Sequence, residues 1–292
     1  MNEDSSKAIR RATGLLAIEV VNSNPNGDPD RESDPRTRPD RRGEISPVSF
    51  KRKLRDLLED KEGPVWGVLQ RGLGIESDEF QILESRGRDR SNVIKEASEG
   101  KFLEKYWDAR VFGNTFLEKE ASQHLATGVV QFGLGLSVAP VSIERLTTTN
   151  KSGVQEGKDR GMAPLAFRVV EHGVYVMPYF VNASAARKTD CKPLDLEVLR
   201  RMIPLAYSQT ASYIRASVEI RHAWYVEHRS PLGSASDLQV IDALTPRKRE
   251  RPDEPSKSWA DYDVPTALPD TLQARLEPLR DLMAEWYAAA GA

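Results

Sequence analysis

One cysteine, Cys191, is all this 292-residue chain offers for a disulfide, so no internal bridge can form. That points to a reducing, cytoplasmic setting and excludes a small disulfide-framed secreted module. No apolar run approaches the roughly 20 residues that span a bilayer, and Met1 to Arg10 lacks the apolar stretch of a signal peptide. No membrane partner is expected. Histidine is scarce, and His124, His172, His222 and His228 fall in no HExxH or similar ligand spacing. No G-x-x-x-x-G-K-[ST] loop and no G-x-S-x-G elbow occur, and Gly133-Leu134-Gly135 sits inside a strand pattern rather than at a strand-to-helix turn. These absences predict no zinc and no nucleotide cofactor, and no motif supports a nucleophile, although spacing alone does not exclude one. An excess of positive charge is missing too, since 42 Lys and Arg stand against 44 Asp and Glu, a net −2. The chain is therefore not one that coats nucleic acid with its whole surface.

The balance hides two uneven windows. Arg31 to Arg55 holds nine basic residues against four acids, a local +5, and Asp253 to Asp270 holds five acids against one lysine, a local −4. The basic window follows a distinctive opening. Gly14 to Val21 is an apolar, branched run of strand length. It feeds Asn24-Pro25-Asn26-Gly27-Asp28-Pro29-Asp30, which can continue neither a strand nor a helix. Ser46 then reads as an N-cap with Pro47 at the first helical position, and Val48, Lys51, Leu54, Arg55 and Leu58 space an amphipathic helix over 47–59.

Further on, Gly63 to Gly100 lacks periodicity and reads as a peripheral insertion, Asp108 to Phe112 as a short edge element, and Phe116 to His124 as a polar helix or turn. Gly128 to Val141 and Val169 to Val181 read as partner strands, with Gly128 to Val141 central, so Thr147 to Gly161 between them is a projecting hairpin or loop. Lys192 to Ile214 is helical by pattern with a kink at Pro204. Val218 to Val226 alternates like a strand, a short strand falls near Tyr262, and Leu272, Leu276, Leu279, Met283 and Trp286 mark a C-terminal amphipathic helix, interrupted or restarted at Pro278. The whole is an α+β chain.

Two features carry chemistry. Asp28 and Asp30 lie in a rigid loop beside a basic segment, where two carboxylates can bind a divalent ion or act as a general base on a phosphodiester; the plainer reading is an Asx-type turn. Lys51 and Arg55, four apart, share a helix face with Arg52 beside them, and cations so spaced repel one another unless an anion neutralises them. Phosphates would do so, and a solvated face is the alternative.

The run Asn24 to Asp30 followed by Lys51-Arg52-Lys53-Leu54-Arg55 resembles the Cas-seven family of the RAMP superfamily, the large backbone subunit of type I CRISPR effector complexes, subtype I-C foremost and I-B next. Asp108-Ala109-Arg110-Val111-Phe112-Gly113 resembles its D-x-R-x-F-G, Gly128 to Phe132 its G-P-V-Q-F, and Ser137 to Val141 its S-x-x-P-V. Gly173-Val174-Tyr175 resembles G-L-Y, and Ser212 to Arg215 with His228 and Leu232-Gly233 resembles S-x-x-R with the downstream H and L-G. Val129 stands in place of the proline, Ala216 in place of a glycine, and Leu165-Ala166-Phe167-Arg168 where the family has G-R-K, leaving Arg168 as the cation there.

The resemblance implies an RRM-like, ferredoxin-like palm with a finger insertion and a projecting thumb hairpin. Residues 1–61, 108–145 and 167–292 would form the palm, 62–107 the finger and 146–166 the thumb. It implies a non-catalytic subunit that polymerises head to tail along a CRISPR guide RNA, with target DNA paired to the guide and other Cascade subunits as partners. Guide contacts would come from Asn24, Asn26, Asp28, Arg41, Arg42, Lys51, Arg52, Arg55, Arg110, Gln131, Arg168 and Arg215. Relatives in type III complexes cut RNA with an aspartate after the first strand, so a metal-dependent endoribonuclease using Asp28 or Asp30 is the alternative.

Overall fold

The computed structural model describes residues 8–85, 95, 102–114, 126–150 and 163–290. Eight strands form one antiparallel sheet: β1 (Ala12–Ser23), β2 (Arg42–Ile45), β3 (Val130–Phe132), β4 (Gly135–Pro140), β5 (Ile143–Asn150), β6 (Ala163–Val181), β7 (Val218–Glu227) and β8 (Arg280–Asp281). Their order is β8-β7-β1-β6-β4-β2, with β3 and β5 also paired to β6. The run that begins at Gly14 is the middle of β1, flanked by β6 and β7 and buried on both faces. The helices are α1 (Pro47–Glu59), α2 (Pro64–Leu73), α3 (Trp107–Phe112), α4 (Pro193–Met202), α5 (Asp237–Leu244) and α6 (Leu282–Ala290), with shorter turns between them. None is long and apolar enough to cross a membrane.

The alternation of β1 sorts two cores. Leu16, Ile18 and Val20 join Tyr175, Met177 and Tyr179 of β6 against Phe50 and Leu54 of α1, Trp66 of α2 and Leu199 of α4. Leu15 and Ala17 face the other way, onto Trp224 and Val226 of β7, Val240 and Leu244 of α5, and Leu268, Leu272 and Leu276. This is an α+β fold built on a large antiparallel sheet.

Ser46 caps α1 as its sequence demands, accepting the Ser49 N–H at 3.2 Å ahead of Pro47. Four segments differ from expectation. Gly128 to Val141 is not one central strand but β3 and β4, both lying against β6. Residues 107–112 form a helix rather than an edge strand; all six are buried, so no polar face marks the period. The helical stretch from Lys192 stops at Met202, where Pro204 enters a 3-10 turn, and two further turns follow at Ser208–Thr210 and Tyr213–Arg215. The start of the supposed peripheral stretch is α2, whose Val65, Trp66 and Leu69 belong to the first core. The expected element at Phe116 to His124 lies outside the described residues.

β5 and β6 pair from Ile143 opposite Val170 to Asn150 opposite Ala163. The last pair of β1 with β6 is Ser23 opposite Val170. The β5–β6 hairpin thus continues seven residues past the end of β1, about 23 Å at the usual strand rise. The tip of the segment read as a thumb, 151–162, lies outside the described residues.

Candidate nucleic-acid interface

The loop after β1 is tied down by its own asparagines. Asn24 donates from its side chain to the Ser33 carbonyl at 2.7 Å, and its backbone N–H donates to the Ile214 carbonyl at 2.7 Å. Its carbonyl accepts the Arg215 Nε–H at 3.1 Å. Asn26 accepts the Ser46 N–H at 2.6 Å, which joins the loop to the start of α1. Both asparagines are buried. They shape the loop and offer little side chain to a ligand.

Asp28 accepts the Asp30 N–H at 3.2 Å in an Asx turn, with Arg36 at 3.8 Å and Arg31 at 4.0 Å from its carboxylate. Gly27 is not in the left-handed region; the residues that are include Asn22, Glu32, Ser33 and Arg41. Glycine is needed at 27 for space, since a Cβ there would lie 2.9 Å from the Ser33 carbonyl oxygen.

The basic helix does not present the face expected of it. Arg55 is 3% exposed, donates to the Asp108 carboxylate at 2.8 Å, reaches Glu84 at 3.2 Å and lies over the Phe112 ring. Lys53 is buried on the Tyr207 ring with its Nζ on Thr210 at 2.9 Å. Burial, then the nearby Arg215 charge, pulls its pKa down to about 8. Arg52 is half-buried and donates to the Glu84 carbonyl at 2.5 Å, with Asp56 at 3.6 Å. Lys51 is half-buried over Phe112, and burial lowers its pKa ahead of repulsion from Arg55. Arg52 and Arg55 fasten α1 to Glu84 and Asp108, and Lys53 fastens it to Tyr207 and Thr210. The charges of Arg52 and Arg55 are met from within the protein, whereas Lys51 still feels Arg55.

The D-x-R-x-F-G motif explains the pairing. Asp108 takes Arg55 and also the N–H groups of Leu83 at 2.7 Å and Glu84 at 3.2 Å. Arg110, 2% exposed, forms a two-pronged pair with Asp195 at 3.0 and 2.7 Å and donates to the carbonyls of Leu103, Glu104 and Glu79. Phe112 packs against Trp107 and Phe132, and Gly113 ends the helix at φ 76°. Arg110 is a structural cation, withdrawn from any surface contact. Gln131 is also apart. Its amide donates to the Gly128 carbonyl, and its β-sheet partner on β6 is Phe180, twelve residues from Arg168 and about 40 Å along the strand.

The exposed cations lie elsewhere. Residues 36–44 form a small hairpin closed by Arg38 N–H to the Arg42 carbonyl at 2.9 Å and Arg41 N–H to the Arg38 carbonyl at 2.9 Å. Arg31, Arg38, Arg41 and Arg42 are exposed on and beside it. Arg38 pairs with Glu44 and Arg42 with Asp40, whereas Arg41 has no ion-pair partner among the described residues. Among the described residues, four of the six non-glycine positions with left-handed backbone fall between 22 and 41, a concentration of strain of the kind functional loops hold.

At the hairpin root, Arg168 pairs with Asp34 of the loop and stands directly opposite Arg145. Arg145 is exposed and has no ion-pair partner among the described residues. The Tyr213–Arg215 turn completes this corner. Sequence reasoning missed Arg145, Phe167 and Tyr213; the signal was the S-x-x-R run at 212–215, read there as helix.

The histidines that are described are each occupied. His172 contacts Ser256 and Glu19, His222 contacts Asp281, and His228 contacts Thr13 and Asp237. The Ser234 N–H donates to His228 Nδ1, so the ring proton sits on Nε2, and burial lowers its pKa. Among the described residues no three His, Cys, Asp or Glu side chains gather to hold a metal ion.

No curated protein matches this chain. Among solved structures it is similar to a chain of a pre-nicking CRISPR RNA-guided surveillance complex, at 15% identity over 74% of this chain and 78% of that one, TM-score 0.47. A second CRISPR RNA-guided surveillance complex gives 17% identity over 79% and 75%, TM-score 0.41. The Type III-B Cmr-beta bound to cognate target RNA gives 13% over 75% and 61%, TM-score 0.38. The motif series that runs from β1 to the loops closing the second core falls inside one family model, CRISPR-associated protein Cas7, which matches residues 10–267, and the chain belongs to that family.

Proposed function

We propose that this chain is the guide-RNA-binding backbone subunit of a type I CRISPR surveillance complex, of the I-C kind, working in the cytoplasm without catalysis of its own. Copies would lie head to tail along the guide, beside other subunits, and hold it open for pairing with target DNA. The observation that carries this reading is the corner where the loop after β1, the root of the β5–β6 hairpin and the Tyr213–Arg215 turn converge. It gathers Arg145, Arg168 and Arg215, with Arg31 on the adjoining loop and Arg41 on the 36–44 hairpin, on a chain of net charge −2. Phosphate contacts of this kind are independent of sequence, which suits a protein whose guide does the reading.

The acidic window contributes less to self-association than its count suggests. Asp263 pairs with Arg249 at 2.7 Å and Glu254 with Arg251 at 3.3 Å, so part of its charge is met within the subunit. Order along a filament would come chiefly from RNA.

The test is the RNA itself. Protein purified from cells expressing a guide array should carry RNA of uniform length and bind single-stranded RNA with a steep salt dependence. Protein free of RNA that also fails to bind it at low salt would overturn the reading. Complementary RNA and magnesium added to the complex should leave the RNA whole. Regular cuts that vanish in Asp28→Ala or Asp30→Ala would favour the endoribonuclease instead.

A further inference from the structure

Tyr213 is the most exposed aromatic side chain of this corner, at 68%. An exposed tyrosine on a loop ordinarily swings freely, but this one is held. Its ring packs edge-on against Phe167 at 5.4 Å and 72°. Phe167 lies on the root of β6 directly opposite Leu146 of β5. The turn that carries Tyr213 is fixed at both ends. The Arg215 N–H closes on the Ser212 carbonyl at 2.8 Å, and the Ile214 carbonyl takes the Asn24 N–H at 2.7 Å. An apolar ring is thus fixed in water at the foot of a projecting hairpin.

The charges beside it say what kind of partner it fits. Arg215 lies two residues on, with its Nε spent on the Asn24 carbonyl and no carboxylate within ion-pair distance among the described residues. Lys53 sits behind it, likewise without an ion pair there, and each cation raises the free energy of the other. An anion docked at Arg215 would relieve that repulsion. A flat ring two residues from a guanidinium that has no carboxylate partner among the described residues is the pairing that single-stranded nucleic acids meet on stacking platforms, where a base lies on the ring and its phosphate on the cation.

We propose that Tyr213 is a nucleobase-stacking platform for the bound single strand, with Arg215 receiving the adjoining phosphate. The proposal rests on the RNA-binding reading above and adds a base contact to it. It also supplies the aromatic that the hairpin tip lacks, since residues 147–161 contain none. Stacking tolerates any base but favours the larger ring of a purine, so the platform gives a mild preference for adenine over uracil at one position per subunit.

The experiment measures binding of the whole protein to fluorescein-labelled oligo(A) and oligo(U) over a salt series, for the wild type, Tyr213→Ala and Tyr213→Phe. Loss of one stacked base lowers affinity about 5- to 150-fold. The expected result is that loss for Tyr213→Ala on oligo(A), a smaller loss on oligo(U), an unchanged salt slope, and near wild-type binding by Tyr213→Phe. Thermal unfolding should be unaltered, because the residue is exposed. Wild-type affinity in Tyr213→Ala while the wild type binds RNA would overturn the platform and leave the RNA-binding reading standing. So would normal RNA affinity with a smaller assembly on gel filtration, which would place a neighbouring protein on the ring. A wild type that binds neither oligonucleotide would overturn both.

Discussion

Arg110 divides a structural reading of the family motif from an RNA-binding one, and replacing it with methionine tests which holds. The substitution keeps the side-chain length and removes the guanidinium. Among the described residues it leaves the Asp195 carboxylate, 1% exposed, with only the Lys192 N–H at 2.8 Å, and it strips donors from the carbonyls of Leu103, Glu104 and Glu79. Breaking a buried ion pair from one side costs about 3–5 kcal/mol, against a total stability of about 5–15 kcal/mol. At roughly 2–4 °C per kcal/mol for a chain of this size, Tm should fall by roughly 6–20 °C. Removing both partners, Arg110→Met with Asp195→Leu, should recover a large part of that loss, because the orphaned charge is gone. The assay is thermal unfolding by circular dichroism, paired with RNA affinity over a salt series well below the variants' Tm. The slope of log affinity on log salt should match the wild type. A wild-type Tm with a shallower slope would mean that Arg110 reaches phosphate in the working protein, and the buried-pair account would be wrong.

The remaining expectations follow from the same geometry. Arg41→Gln and Arg145→Gln should each flatten the RNA salt slope by about 0.7 for every single-strand phosphate the variant no longer neutralises, with Tm unchanged; an identical slope in both would put the guide on another face. Arg55→Ala should do the reverse, lowering Tm without touching the slope, because its charge is spent on Asp108 and Glu84. Gly27→Val should damage folding of the loop through the 2.9 Å approach to the Ser33 carbonyl, seen as a fall in both Tm and RNA binding; a variant of native stability would refute the close approach. Lys53 and Lys61 both have pKa values lowered to about 8 from 10.5, chiefly by burial. Between those values the unfolded chain holds more protons than the folded one, so stability should rise with pH from about 8 to 9.5. Lys53→Met with Lys61→Met should flatten that rise in urea unfolding, and a wild type whose stability falls over this range would refute the burial argument.

What the sequence made legible was local. The cap at Ser46 and Pro47, the apolar run of β1, the alternation of β7, and the turn chemistry of Asn24 to Asp30 each depend on neighbours a few residues away, and each formed as read. What escaped was the pairing of distant charges. Lys51, Arg52 and Arg55 count as three free cations until Glu84, Asp108 and the Phe112 ring arrive from farther along the chain. Helix α3 hid for a related reason: with every residue of Trp107–Phe112 buried, its sequence has no polar side from which a period can be taken. Tyr213 and Phe167 lie 46 residues apart and meet only because the turn after α4 folds back to the hairpin root.

The corner between loop and hairpin has an internal logic that no single segment contains. Arg145 and Arg168 are directly opposed on β5 and β6, and like charges in that position repel. The loop after β1 answers one of them, placing Asp34 on Arg168, and leaves the other in solvent. An incoming phosphate near Arg145 therefore meets a pair of cations of which one is already engaged, and it competes with Asp34 for the second. Since Asp34 lies in the strand pair that closes the Asn24 to Asp30 loop, with Asp28 as its partner, any such exchange is felt by the loop. Loop and hairpin are thus coupled through one carboxylate, and under the proposed function the motif that marks the family would act on a bound strand by holding Asp34 in place, since its asparagines are buried.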